Sequence, residues 1–568
     1  MTNLFLIHND NSFSEIESIT DDLKFGLDNP LNSNTVIDTN IDAYISQKFI
    51  PTIQDKEIDI LFIKDSLSQN YLDFLGLRLA YHIRLSEELG DKRFIPIVIL
   101  SDLDGYNLNQ FTTLARILFT KNIFIGDNNP STIGFYKNNL TTNEDLKNNF
   151  KEEFLNVVEI EAPKDYLSSH SIANEWSIYR WGKYLGIENE DIEKNISSML
   201  YFKYLKNKYP INNTDDFIPN TPIETGKVLY IDDEWKKGWK NIFESLFSSL
   251  EFECIEEEYK DKEAIEIIDF VREKINYYTP DTVILDLRLH DDDFKEDVNI
   301  DDLTGIKILK IIKEEINRGI QCIALTASQN SLILEKLYEY DIVGYVKKEH
   351  PHNYKLDTKE NINKIVTLVD EGLKNKYLKD IWIIQEKIKN LNNFTITRED
   401  DLLSELFTNS QFVFDILNGK AENKMNMAIL TIYKCFEVIA TIYIENKKFK
   451  NSPDYLKNYT PQDNSQDNPL NTVSIGQIKT STMNKIHNIM ISNLSLNDKV
   501  IHEKLCELNF CRNNIVHPIT NQQTLTTNQI EKDGIVLCSF IANPTNENIV
   551  EWFQLLHKII EAMKDRHT

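Results

Sequence analysis

The sequence predicts a multidomain protein: two doubly wound α/β domains built on parallel sheets, followed by an all-α C-terminal helical bundle. Three observations predict this. Short apolar runs alternate with amphipathic helical stretches over residues 3–130 and again over 227–350, the pattern of strands joined through crossover helices. From Asp401 onward strand-type runs nearly vanish and helical periodicity takes over. At 568 residues, the chain is too long for one ordinary core.

Asn3–His8, Ile58–Ile63, Phe94–Leu100 and Asn122–Gly126 are the apolar runs of the first unit, with a helical pattern at Leu72–Leu85. Residues 145–215 read as helices, and the aromatic stretch Glu175–Tyr184 has the spacing of core residues. Asn212–Pro222 is polar and punctuated by proline, which marks a linker. The second unit is more specific. Lys227–Glu234 runs apolar and ends in Asp232, Asp233 and Glu234. Thr282–Asp286 ends in an acid, Cys322–Thr326 in a hydroxyl and Val343–Lys348 in amines. Functional groups of an open α/β sheet gather at the carboxyl ends of its strands, so this order of strand ends brings acids, hydroxyl and amine together.

After Pro351, Ile362, Ile365, Val369, Leu373, Tyr377, Ile381, Ile384, Ile388 and Leu391 recur at spacings of three and four, predicting one long helix from Thr358 to Leu391. Its stripe suits either a copy from a second chain or a neighbouring domain of the same chain. Met425–Glu445, Thr480–Ser492, Asn497–Ile515 and Asn546–Lys564 are helical in pattern, and Asn451–Asn471 is a loop rich in Asn, Asp and Pro. The expected division is an α/β domain at 1–144, a helical segment and linker at 145–225, a second α/β domain at 226–352, a connecting helix at 353–395 and a helical domain at 396–568.

Composition narrows the classes. Hydrophobic residues make up 41% of the chain, with no unbroken apolar stretch near about 18 residues and no basic, apolar leader at Met1. The expectation is a cytoplasmic protein with no membrane partner. Six cysteines without a C-x-x-C pair predict reduced, buried thiols rather than a disulfide or zinc framework. Net charge is −27, but residues 401–568 hold 16 basic against 18 acidic side chains. An acidic surface repels nucleic acid, so any such contact is expected in the C-terminal part.

Residues 226–352 resemble the receiver domain of two-component response regulators. In that resemblance Asp232 and Asp233 are the acid pair that, with Asp286, holds Mg2+, and Asp286 is the phosphate-accepting aspartate. Thr326 is the switch hydroxyl, Tyr345 the aromatic switch residue, Lys348 the lysine, and Gly305 the glycine opening the helix after Asp286. A carboxylate attacks a phosphoryl group poorly unless the charge on both is offset, which a hard cation and an ammonium group together supply. New phosphoryl oxygens would draw Thr326 inward and free space for Tyr345. Two departures stand out. Glu349 replaces the family's proline after the lysine, and an acidic run, His290–Asp302, is inserted beside Asp286. The run is either a flap that tunes phosphoryl traffic or a solvated loop. The first domain echoes the order with Asn9 and Asp10, then Asp65, then Ser101, but has no lysine after its last apolar run. It is either a degenerate receiver, expected to dock or dimerise, or an unrelated α/β domain.

In Glu507–Pro518, Arg512, Asn513 and His517 form R-N-x-x-x-H at the close of a helix. Residues 400–568 thereby resemble the HEPN (higher eukaryotes and prokaryotes nucleotide-binding) domain, whose active members cleave RNA without a metal. That resemblance makes His517 the proton-exchanging group, Arg512 the stabiliser of charge on the scissile phosphate, Asn513 their orienting neighbour and Glu437 an accessory acid. One motif per chain implies a homodimer. The plainer alternative is a helix-terminal Arg–His pair capping exposed carbonyls. Together the resemblances imply a response regulator, fed by a histidine kinase or phosphotransfer protein, that controls a ribonuclease in stress or phage defence. The alternatives are a signalling adaptor whose bundle only dimerises or docks a partner, and a phosphate sink.

Overall fold

The computed structural model describes residues 2–9, 21–24, 38–68, 71–127, 129–140, 144–163, 169–211, 216–259, 261–295, 298–327, 331–350, 357–396, 400–445, 486, 494, 496, 499–516, 529–532, 535–539 and 543–567. Two five-stranded sheets dominate the first two thirds. The first contains β1 (Leu4–His8), β2 (Asp21–Lys24), β3 (Ile60–Lys64), β4 (Ile97–Leu100) and β5 (Ile123–Gly126) in the order β2-β1-β3-β4-β5, all parallel. The second contains β6 (Lys227–Ile231), β7 (Glu251–Cys254), β8 (Thr282–Asp286), β9 (Gln321–Thr326) and β10 (Gly344–Lys347). Its order, β7-β6-β8-β9-β10, repeats the first sheet strand for strand, again all parallel.

The two sheets also share a detail of packing. In each, the helix after the third strand carries a glycine pressed against that strand's exit. A Cβ on Gly76 would lie 1.9 Å from the Lys64 carbonyl oxygen, and one on Gly305 would lie 2.4 Å from that of Asp286. Any side chain here would push the helix off the sheet.

Side chains alternate across the second sheet as the pleat requires. Leu229, Ile231, Val283 and Leu285 face a core shared with the helices Ala264–Tyr278 and Thr304–Ile311. Val228, Tyr230 and Ile284 face the other side, whose core is continuous with the three helices Ser169–Leu185, Glu190–Ser198 and Leu200–Lys208 and, through them, with the first sheet. The helical segment is therefore a packed layer between the two sheets, with Trp181 and Phe202 fully buried in it.

The expected single helix from Thr358 to Leu391 is two helices, Thr358–Lys374 and Leu378–Lys389. Asn375 leaves the helical path and its side chain caps the Glu371 carbonyl at 3.1 Å. The second helix starts hard against the turn before β9, where a Cβ on Gly319 would fall 2.3 Å from the Leu378 carbonyl oxygen. The break divides the apolar stripe. Ile362, Ile365, Val369 and Leu373 join the core of the second sheet, whereas Tyr377, Ile381, Ile384 and Ile388 join that of the C-terminal bundle.

That bundle adds the helices Asp400–Asn418, Lys424–Glu445, Lys499–Val516 and Asn546–His567. It is not all-α. An antiparallel hairpin, β11 (Gln529–Lys532) and β12 (Ile535–Ser539), lies within it. The sequence signal was present: Asp533-Gly534 stands between a polar run and β-prone Ile535-Val536. The loop Asn451–Asn471 and, apart from Ile486, the helix expected at Thr480–Ser492 lie outside the described residues. Among the described residues, one stretch, Lys424–Ile442, is long and apolar enough to cross a membrane, and more than half of it is buried in the bundle.

Candidate functional site

The strand order places the exits of β6 and β8 side by side, with β9 and β10 beyond. Asp232, Asp233 and Asp286 consequently meet: each offers a carboxylate oxygen, all within 4.8 Å of one another. Three hard oxygen donors in that space suit a divalent cation such as Mg2+. Asp232 is fully buried and held from two sides, accepting from the Tyr230 hydroxyl at 2.6 Å and the Glu234 backbone N–H at 2.7 Å. Asp286 accepts from the Arg288 N–H at 3.2 Å.

Lys348, one residue past β10, brings its ammonium group to Asp232 at 3.0 Å and to Asp286 in a shorter contact. Burial alone would lower its pKa, but Asp232 and Asp286 outweigh that and hold the proton on firmly. One ammonium does not balance three carboxylates. Burial, then the charges of Asp232 and Asp286, push Asp233 up to about 9. The site thus has an unmet demand for positive charge, which a bound cation would answer.

Thr326 ends β9 fully buried, and its carbonyl accepts the Lys348 N–H at 2.9 Å. Tyr345 sits half-buried on β10, its ring 6.3 Å from that of Tyr338 and 4.8 Å from the Lys364 ammonium. The second sheet therefore brings Asp232, Asp233, Asp286, Thr326 and Lys348 to one edge, with Tyr345 on the adjoining strand.

Each of the two departures places a buried acid at a structural centre. Asp293, in the acidic insertion, is buried, and its carboxylate accepts from the N–H groups of Leu289 (2.9 Å), His290 (3.0 Å) and Thr304 (3.0 Å) and from the Thr304 hydroxyl (3.1 Å). It pins the insertion to the start of the helix that carries Gly305. Glu349, equally buried, receives Trp181 Nε1 at 2.9 Å, Arg180 Nε at 3.1 Å and the Thr358 hydroxyl at 2.8 Å.

At the corresponding edge of the first sheet the chemistry is different. Asn9 follows β1 and donates to the Ser68 carbonyl at 3.2 Å, while Asp10 lies outside the described residues. Asp65 follows β3 and accepts from the Ser101 hydroxyl at 2.5 Å, burial raising its pKa. After β5 comes Asp127, an acid where the second sheet has lysine. The sequence model of a family described as an inactive receiver domain matches residues 10–126. The parallel order of the first sheet is consistent with a receiver-like fold for that stretch. No curated protein matches the chain.

In the bundle, Arg512 lies 4.9 Å over the ring of Tyr433, whose hydroxyl donates to Asn509 at 3.1 Å. Glu437 is one turn beyond Tyr433 on the same helix and partly exposed. Asn513 belongs to the helix Lys499–Val516, and His517 lies outside the described residues.

Proposed function

We propose that this is a signalling protein in which Asp286 accepts a phosphoryl group from a histidine kinase or phosphotransfer protein and the C-terminal bundle delivers the output. The inactive receiver domain at 10–126 supports a response-regulator-like role for the chain. The observation that carries the Asp286 reading is the Lys348 ammonium between Asp232 and Asp286, beside the half-buried Asp233. In the transfer, an Asp286 carboxylate oxygen bonds to phosphorus as the phosphorus–nitrogen bond of a phosphohistidine breaks. Asp232, Asp233 and Asp286 would hold Mg2+, which lowers the charge repulsion, and Lys348 pairs with a phosphoryl oxygen. With Mg2+ and acetyl phosphate, wild type becomes labelled at Asp286. Equal labelling of Asp286→Asn would overturn the assignment.

The finer reading of the output is RNA cleavage by Arg512, Asn513 and His517, two copies facing each other in a homodimer. It is supported by the R-N-x-x-x-H spacing of Arg512, Asn513 and His517 at the close of the helix Lys499–Val516. RNA degradation by purified protein, lost in both Arg512→Ala and His517→Ala, tests it. The second reading is an adaptor whose bundle only docks or dimerises, and the contact of Arg512 with the Tyr433 ring favours it in that Arg512 helps pack two helices. Cleavage unaffected by either substitution decides for the adaptor.

A further inference from the structure

One helix grips the acid site from both sides. On the acid side, Asn174 of the helix Ser169–Leu185 donates to Glu234, whose own N–H holds Asp232. On the lysine side, the Ser177 hydroxyl bonds to both backbone groups of Glu349, donating to its carbonyl at 3.2 Å and accepting from its N–H. Arg180 and Trp181, on the same helix, close on the Glu349 carboxylate. A second route reaches Lys348 itself. Its ammonium lies 5.5 Å from the Trp239 ring, which meets Trp181 edge-on at 5.3 Å and donates to Asn174 at 3.1 Å.

We propose that this helix is a brace for the phosphoryl site, with Arg180 and Glu349 as positioning residues that set where Lys348 stands. The proposal rests on the reading of Asp286 as phosphoacceptor. Lys348 and Glu349 are adjacent, so fixing the backbone of Glu349 at both its N–H and its C=O fixes the origin of the lysine side chain. An ordinary interdomain contact has no need of a buried carboxylate, because an apolar pair would pack as well without the desolvation cost. A carboxylate with a guanidinium, an indole and a hydroxyl around it specifies one geometry instead. Thr358, the third partner, opens the helix Thr358–Lys374, so the same node joins the brace to the element leading into the C-terminal bundle.

The test uses the full chain with Mg2+ and acetyl phosphate, measuring the rate and final stoichiometry of labelling. Glu349→Gln and Arg180→Ala are expected to slow labelling by about tenfold or more while reaching full stoichiometry, since a misplaced charge costs rate. Arg180→Lys, which keeps the charge, is expected to fall between them and wild type. A role confined to folding would instead lower the stoichiometry and leave the rate of the remaining folded protein unchanged, and that result overturns the brace. So does wild-type labelling with unchanged rates in Glu349→Gln and Arg180→Ala, which leaves the phosphoacceptor reading standing. Wild type that takes no label under any donor removes the phosphoacceptor reading and this proposal together.

Discussion

Arg318 donates to Asp415 at 2.7 Å and to Asp341 at 2.8 Å, and its guanidinium lies 5.1 Å over the ring of Phe414. It thereby joins the turn before β9 to the helix Asp400–Asn418. That turn is at the amino end of the strands, whereas the acids are at the carboxyl end. The bundle is therefore attached opposite the candidate site. The helix Thr358–Lys374 runs between the two, starting at Glu349 and ending where the bundle begins.

Removing Arg318 should loosen that attachment without unfolding either part. All three ionic groups are partly exposed, so Arg318→Ala is expected to cost less than about 1 kcal/mol. Backbone hydrogen exchange over residues 411–417 should nonetheless quicken, and unchanged exchange there would show that the contact carries nothing.

Lys348 offsets the charge of buried carboxylates, and an apolar replacement leaves them uncompensated. Lys348→Met is expected to destabilise the protein by about 3–5 kcal/mol in chelator. Millimolar Mg2+ should recover more of the melting temperature in this variant than in wild type, because the cation supplies the missing charge. Equal Mg2+ effects on the two proteins would argue against a shared cation site.

For the acidic insertion, burial divides the residues. Asp293→Ala removes one carboxylate from four donors and is expected to cost about 2 kcal/mol or more in denaturant titrations. Asp291, Asp301 and Asp302 are exposed. Changing these to Asn should leave stability within about 0.5 kcal/mol. If the labelling rate at Asp286 changes all the same, the insertion acts through its charge.

The first domain should weaken in mild acid. His82 is fully buried with Nε2 2.8 Å from Asp42, which also accepts from Arg78 Nε and Nη2 and from the Leu200 N–H. Burial drops the His82 pKa from 6.5 to about 4, against the opposing pull of Asp42. Between those two values the unfolded chain binds a proton that the folded chain does not, so stability falls as pH is lowered through that window. Melting temperatures measured from pH 7 to 4 should show the slope, and His82→Gln should flatten it. A slope of the same size in the variant would assign it to other groups.

Much of the second sheet was legible because apolar runs there end in polar residues: Asp232, Asp286, Thr326 and Lys348 each follow or close a run of aliphatic side chains. Two edge strands, β2 and β7, were not. Asp21-Asp-Leu-Lys24 and Glu251-Phe-Glu-Cys254 pair on one side only, and their polar residues mask the strand signal. The helix break at Asn375 was also hidden, since the stripe of apolar residues continues through it and only the packing of Leu378 on Gly319 divides it.

Local patterning by itself determined two α/β units in tandem, the identities of the residues at their strand ends and the helical character of the C-terminal part. These depend on near neighbours, whose periodicity one sequence displays. Only the tertiary structure decided what Glu349 and Asp293 do. Glu349 finds Arg180 at 3.1 Å across 169 residues, and Asp293 finds Thr304 through a fold in an irregular loop. A buried charge is tolerated only where partners converge on it, and that convergence is a property of the packed chain.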